Sequence, residues 1–331
     1  MISISTMTQA LNYEGDAISI SYSGKDWNAR IIRKTENGVA PYNTKLCYLP
    51  AERNLISAVR NVNSVYKTKD RDVIFNFIQE WNESKDGYTR GNKLNLSLTD
   101  DFKYFNDEGQ DFIVLPSGQP IASYYASSGV QSVMPVDVMS DHFMGLVGKV
   151  VKYSREDLMN RLMEMLGTDS PDKIDANVLS DENLASMREK MTYQSAQLFI
   201  EEPEQNLYPD AQRNLVLNLI RRLKKVQSIG SCRSSIVMTT HSPYVLSTLN
   251  TLVYDAFAME KKPEDIRLKE MVDESTFLPM EAYSAYFIDK DGCFKDIMDK
   301  DIPMFSGVDL EGVSDWVDEH TYRINEILFG E

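Results

Sequence analysis

Cysteine is scarce. Cys47, Cys232 and Cys293 are the only three in 331 residues, and they lie far apart with no C-x-x-C pair and no matching histidine cluster. Such spacing argues against a thiolate zinc site and points to a reducing compartment. Long apolar runs are missing too: none approaches the roughly 20 residues needed to span a bilayer. The opening stretch MISISTMTQALNYEGD has neither the basic n-region nor the apolar h-region of a secretory signal. A soluble, cytoplasmic protein with no membrane partner is the expectation. Positive charge is also short, with 35 Lys+Arg against 50 Asp+Glu and a formal net charge of −15. That balance excludes a chain that coats nucleic acid or an anionic membrane with its whole surface, and leaves room only for a local basic patch. The deficit is uneven: residues 255–331 carry 20 Asp+Glu and 8 Lys+Arg, a balance of −12, so residues 1–254 carry only −3. There is no internal repeat and no low-complexity tract.

What is present is an ordinary globular balance, 42% hydrophobic and 26% charged residues, long enough to bury one large core or two modest ones. Residues 17–22 (AISISY) alternate, Gly24-Lys25-Asp26 is a turn, and residues 28–34 (NARIIRK) are apolar again, which together read as a hairpin. A short run from Leu46 to Leu49 stops at Pro50. From Glu52 to Trp81, apolar positions such as Leu55, Ile56, Val59, Phe77 and Ile78 recur mostly at helical spacing, with a polar break near Lys67–Asp70, which predicts two helices. Asp111 to Leu115 is a strand candidate. Ser154 opens a capping-box-like pattern ahead of Leu158, Leu162 and Met165, and a further helix is expected from Asp181 to Met191. An apolar strand at residues 197–201, a helix at 211–226 and a strand at 234–240 then follow. Strand, loop, helix and strand within about 45 residues make a βαβ unit, so the expected core is a parallel sheet with helices on its faces.

Two strand ends carry the candidate chemistry. The first strand delivers Glu201 and Glu202 to its C-terminal tip, ahead of Pro203-Glu204-Gln205-Asn206-Leu207-Tyr208-Pro209. Open α/β sheets place ligands at that end. Successive strand side chains face opposite ways, so the two carboxylates suit different tasks, one toward Mg²⁺ and the other toward an attacking water. Glu201-Glu202-Pro203 alone reads equally well as a solvated acidic loop. The second strand ends in Thr240-His241-Ser242-Pro243, where a neutral imidazole can meet a phosphate oxygen or a water. A lone histidine there is more often structural, and its meaning comes from the acidic tip one helix earlier. A metal-dependent nuclease built on Glu201, Glu202 and Glu204 is less well supported. The C-terminal acids Asp289, Asp291 and Asp299 lack a Gly-rich frame to form a second metal site and read as surface.

These two segments resemble the Walker B strand with its D-loop and the switch-histidine strand of ABC-type ATPases. The likeness is to the AAA-type ATP-binding proteins close to the SMC and overcoming-lysogenization-defect families in particular. Tyr125-Ala-Ser127-Ser128-Gly129-Val-Gln131 resembles their signature motif, and Tyr48-Leu-Pro50-Ala51-Glu52-Arg53 resembles their Y-x-P-A-E-R segment. Four segments stand in the family's order, and the resemblance covers roughly residues 15–330. It implies an α/β, P-loop NTPase-like fold of ABC type, with N-terminal antiparallel strands and a helical subdomain. It implies a single domain over 1–331, with helical subdomain or insertions at 52–110 and 141–195 and the Walker B, switch-histidine and C-terminal core at 196–331. ATP and Mg²⁺ are the implied cofactors. Glu201 matches the magnesium-directing acid, Glu202 the catalytic glutamate and His241 the switch histidine. Ser128, Gly129 and Gln131 match signature positions that act on a nucleotide held by the opposite subunit. Asn206 falls in the D-loop at the dimer interface.

One part of that site is missing. The family's phosphate cradle, G-x-x-x-x-G-K-S/T, occurs nowhere in the 331 residues. Gly-Lys stands only at Gly24-Lys25 and Gly148-Lys149, neither followed by Ser or Thr. Without that lysine and amide nest, catalysis by the chain alone is not expected. Three arrangements account for the gap: a truncated or mis-started reading frame, a cradle supplied by a separate polypeptide, or a degenerate partner that lends Ser128 and Gly129 to an intact subunit. The first is favoured narrowly, because Glu202 and His241 stand where an active enzyme needs them. The expected partner is a second copy, an intact ATPase or a P-loop-bearing chain. The alternative is a non-catalytic interaction module in a DNA-maintenance or phage-defence complex, with DNA reached through the complex, since the charge gives it no support.

Overall fold

The structure is a computed structural model that describes residues 11–14, 18–23, 30–33, 43–59, 62, 72–99, 101–150, 192–229, 233–299 and 304–305. Its contacts divide the chain into two units, Met1–Thr44 with Gly148–Gln194, and Lys45–Val147 with Ser195–Glu331. In the first unit, β1 (Leu11–Glu14), β2 (Ile18–Tyr22) and β3 (Arg30–Arg33) form an antiparallel sheet in that order. Ile20 pairs with Ile31, so the hairpin expected at 17–34 is present. The helices expected at Ser154 and at Asp181–Met191 lie outside the described residues.

The second unit opens with β4 (Thr44–Leu49), which crosses into it from the first and ends at Pro50. A 3-10 turn at Ala51–Asn54 and the short helix α1 (Leu55–Ala58) follow. Helix α2 (Val73–Lys85) starts where the Asp72 carboxylate accepts the Phe75 N–H at 2.7 Å, supplying one of the partners a helix start otherwise lacks. Its residues Phe77, Ile78 and Trp81 share a face and are buried. Four antiparallel strands come next: β5 (Leu94–Asn95), β6 (Lys103–Asp107), β7 (Gln110–Val114) and β8 (Pro120–Ala122). Residues 52–110, expected to be helical, therefore hold strands from residue 94 onward. Their cohesion comes from cross-strand pairs, Tyr104 opposite Ile113 and Phe105 stacked on Phe112 with ring centroids 5.1 Å apart.

Helix α3 (Ser128–Met144) is buried at Val130 and from Ser132 to Ser140, as a helix through the middle of a core must be. Strand β9 (Ser195–Glu201) buries Ala196, Leu198 and Ile200 on one face. It leads to α4 (Pro209–Gln227), which has Pro209 at its start, Asp210 in the first turn and Lys224 and Lys225 in the last, an order that suits the helix dipole. Strand β10 (Ser235–Thr239) lies parallel to β9, Glu201 opposite Thr239, and β4 flanks β9 on the other side. The expected βαβ unit is thus in place, with α3 packed against both β9 and α4. Helix α5 (Pro243–Lys261) is capped by the Ser242 hydroxyl, and α6 (Ile266–Met271) and the hairpin β11 (Tyr286–Ile288) and β12 (Phe294–Asp296) complete the described chain. One core cluster joins Leu49, Phe77, Trp81, Tyr104, Val133, Met139, Leu198 and Leu219, with Trp81 and Tyr104 rings 5.8 Å apart. Side chains of that size contribute about 1.5–3 kcal/mol each on full burial. No helix among the described residues is long and apolar enough to cross a membrane.

Candidate functional site

The parallel pairing of β9 and β10 brings the two tips together. Past β9 the chain turns sharply, and Glu202 (φ 42°) and Asn206 (φ 60°) both take the left-handed conformation that costs a non-glycine residue about 1–2 kcal/mol. Glu202 is pinned there on both sides. Its N–H donates to Thr239 O at 2.9 Å, and its carbonyl accepts from Arg53 Nη2 at 2.7 Å and from the Gln205 N–H at 3.0 Å. The Glu202 carboxylate, 40% exposed, stands 3.8 Å from Nε2 of His241, whose imidazole is 85% exposed. His241 is held through its backbone: its N–H donates to Glu204 Oε1 at 2.8 Å. The other oxygen of Glu204 is buried without a partner. Next to it, the Ser242 hydroxyl bonds Gln212, and Gln212 in turn donates to Leu207 O at 2.9 Å, so α4 ties the two tips together.

Glu201 is engaged from β4. Its Oε2 accepts the Ala51 N–H at 3.1 Å. Burial raises the nearby Tyr48 phenol well above its ordinary range, and the Glu201 carboxylate and the charge of Glu52 raise it further. Arg53 is fully buried, and burial lowers its guanidinium to about 10 against the opposing charges of Glu204, Glu202 and Glu201. It stays protonated at neutral pH.

The Tyr125–Gln131 segment reaches the same acidic loop through Gly129 and Ser132 of the helix it opens. Ser127 caps α3 by accepting the Val130 N–H, and Ser128 is exposed at its first turn. Gly129 packs on the acidic loop: a Cβ there would lie 3.0 Å from Asn206 O, closer than the main chain readily allows. The Asn206 side chain reaches Ser132 Oγ at 3.4 Å. Gln131 faces inward, its amide donating to Ser123 O and Tyr124 O at 3.1 Å each, so it holds the turn that precedes the helix.

Sequence reasoning named Glu201, Glu202, His241, Ser128, Gly129, Gln131 and Asn206, and all seven lie in the second unit around β9 and its loop. It assigned no role to Tyr48, Arg53 or Gln212, and weighed Glu204 only within the nuclease reading. Tyr48 and Arg53 left a signal in the Y-x-P-A-E-R pattern, and Gln212 left none. Among the described residues no group of three or more His, Cys, Asp or Glu is arranged to hold a metal. A Mg²⁺ ion held with a nucleotide needs only one or two carboxylates beside phosphate oxygens and waters. Glu201 and Glu202, at the tip of β9, fit that modest requirement.

No curated protein matches the chain. A family model described as AAA ATPase domain matches residues 7–246, a span that includes the Tyr48–Arg53 segment, the signature, both strand tips and His241. The chain belongs to the AAA ATPase domain family.

Proposed function

We propose that this chain forms the catalytic face of an ABC-like site that binds and hydrolyses ATP, built on a P-loop NTPase-type sheet, with its phosphate cradle on polypeptide outside these 331 residues. The observation that carries the proposal is the approach of Glu202 to His241, 3.8 Å apart at the carboxyl ends of two adjacent parallel strands. When bound, ATP with Mg²⁺ supplies the scissile phosphate and the cation that offsets its charge. Glu201, held by the Ala51 N–H, would supply a carboxylate to that cation. Glu202 takes the proton of the attacking water, and His241 donates a hydrogen bond to the terminal phosphate. Ser128 and Gly129 engage the nucleotide of an opposite subunit, a second copy or an intact ATPase, at the start of a 17-residue helix whose N–H groups favour anions. Gln131 positions that turn, and Asn206 carries the loop to the subunit boundary.

Strand β10 supports a cradle that comes from elsewhere. It lies at the edge of its sheet among the described strands, carries no charge, and has none of its five residues buried, with Val237 49% exposed. Parallel strands are ordinarily covered on both faces, and exposed edges are ordinarily guarded by charge or proline. A strand added there in parallel would end beside His241. The test is turnover by the ATP-hydrolysing assembly that contains this chain. Glu202→Gln is expected to lower kcat about 10²–10⁴-fold with nucleotide binding retained. Unchanged turnover, together with loss on Ser128→Arg, would favour the second reading, a degenerate partner that lends its exposed Ser128 to an intact subunit.

A further inference from the structure

Arg53 has five N–H donors, and five carbonyl oxygens surround them. Nε donates to Ser132 O at 3.0 Å. Nη1 donates to Glu201 O at 2.8 Å and Pro50 O at 3.4 Å, and Nη2 to Glu202 O at 2.7 Å and Pro203 O at 3.4 Å. The side chain is 0% exposed. Its acceptors come from three separate segments: its own turn, the acidic tip after β9, and the first turns of α3. No carboxylate is among them, so the planar fork is spent on fixing main chain. The same hexapeptide holds the Glu201 side chain through the Ala51 N–H.

We infer that Arg53 is a positioning residue that locks the Glu201–Pro203 tip to the signature helix, so that nucleotide engaging Ser128 and the placing of the Glu202 carboxylate are one mechanical event. The inference rests on the ATPase reading above and adds to it the route between the two halves of the site. Ser132 lies one helical turn beyond Ser128, and Glu202 keeps its left-handed backbone only while its carbonyl is held. Asn206 against Gly129 forms a second contact between the same two segments. A lysine cannot replace the fork: its three donors radiate from one atom and do not span three segments.

Two measurements test it. Hydrogen exchange on the unaltered chain needs no nucleotide. The Gln205 and Glu202 amides are expected to open together with the first turns of α3, with rates corrected for sequence within about threefold of each other. Opening of the tip ten times or more faster than α3 overturns the lock. In the ATP-hydrolysing assembly, Arg53→Lys is expected to lower kcat tenfold or more with KM for ATP within twofold. The double variant with Glu202→Gln should be no slower than Glu202→Gln alone, because Arg53 acts through Glu202. Multiplying losses, or a kcat unchanged in Arg53→Lys, overturn the inference while a damaging Glu202→Gln leaves the ATPase reading standing. An unaffected Glu202→Gln overturns the ATPase reading instead. If Arg53→Lys does not fold, hydrogen exchange on the unaltered chain decides.

Discussion

A buried charge shows its importance through its partners. Asp137, 0% exposed in the middle of α3, accepts the Ser97 N–H and the Ser97 hydroxyl at 2.6 Å each and Arg222 Nη1 at 2.7 Å. Arg222 also meets Ser140 Oγ at 2.9 Å and Asp141 at 3.6 Å, and Tyr88 donates to Asp141 at 2.6 Å. The cluster joins α3, α4 and the strand region in one hydrogen-bonded set. Asp137→Ala strips three partners at once and leaves a nearly buried guanidinium with a weaker neighbour. Breaking such a pair from one side costs about 3–5 kcal/mol. The nearby Asp141 argues for the lower end, about 3 kcal/mol, read as the drop in unfolding free energy from urea titration with an unchanged m-value. A loss under about 1 kcal/mol would mean that Asp137 is not paired as described. Asp137 and Arg53 share a lesson about legibility. Asp137 gives no sign of its role in sequence because it sits in an apolar helix; Arg53 shows only as the end of the Y-x-P-A-E-R pattern, and its partners, main-chain carbonyls 79 to 150 residues away together with Pro50, do not show at all. By contrast Glu201, Glu202 and His241 are legible because each ends an apolar strand.

Elements meet at a second charged cluster, where β4, α2 and α3 come together. Lys45 Nζ lies 3.5 Å from Glu80 and 3.4 Å from Glu83, and 4.4 Å above the ring of Phe143, while His142 Nε2 lies 3.8 Å from Glu83. The neighbouring His142 lowers the Glu83 carboxyl, with burial opposing and Lys45 assisting. Burial raises Glu80 despite the same lysine. The signs differ. A lowered carboxyl adds stability above its unfolded value, near 4.3, and that stability fades as pH falls through the folded value. A raised one does the reverse. Glu83→Gln is therefore expected to flatten the fall in stability between about pH 5 and pH 3, and Glu80→Gln is expected to leave that fall in place. Denaturation series at several pH values check both, and a steeper fall in Glu83→Gln would contradict the assignment. These elements were unequally legible. The spacing of Phe77, Ile78 and Trp81 foretells α2, and the alternation at 17–34 foretells its hairpin. Of the sheet β5–β8 only β7 is foretold, by the strand candidate at Asp111–Leu115; the rest is hidden because β5 has two residues, β8 has three, and β6 mixes Lys, Asn and Asp with its aromatics.

The whole chain carries −15, yet α4 contains Arg213, Arg221, Arg222, Lys224 and Lys225, the densest run of cations on any described helix. Those charges do not form an open face. Arg221 pairs with Asp273 at 2.9 Å, and Lys224 donates to Glu274 O at 2.8 Å. Arg222 is taken by Asp137, and Arg213 lies 3.4 Å from Asp210. Asp273 is lowered by Ser275 and Arg221, as a carboxylate in use should be. Asp273 and Glu274, in the acidic C-terminal quarter, thus engage two of the five cations of this helix. Nonspecific duplex binding at physiological salt, about 10⁻⁴ to 10⁻⁶ M for proteins that do bind, arises from phosphates neutralised by Lys and Arg. The chain alone is therefore expected to leave the anisotropy of a labelled 30-base-pair duplex unchanged at about 10 µM protein in 0.1 M salt. Asp273→Ala releases Arg221 and sets the direction of the control, since weak, salt-sensitive binding can appear only in that variant. Binding by the unaltered chain with a steep salt dependence would show that a cationic face exists despite these pairings.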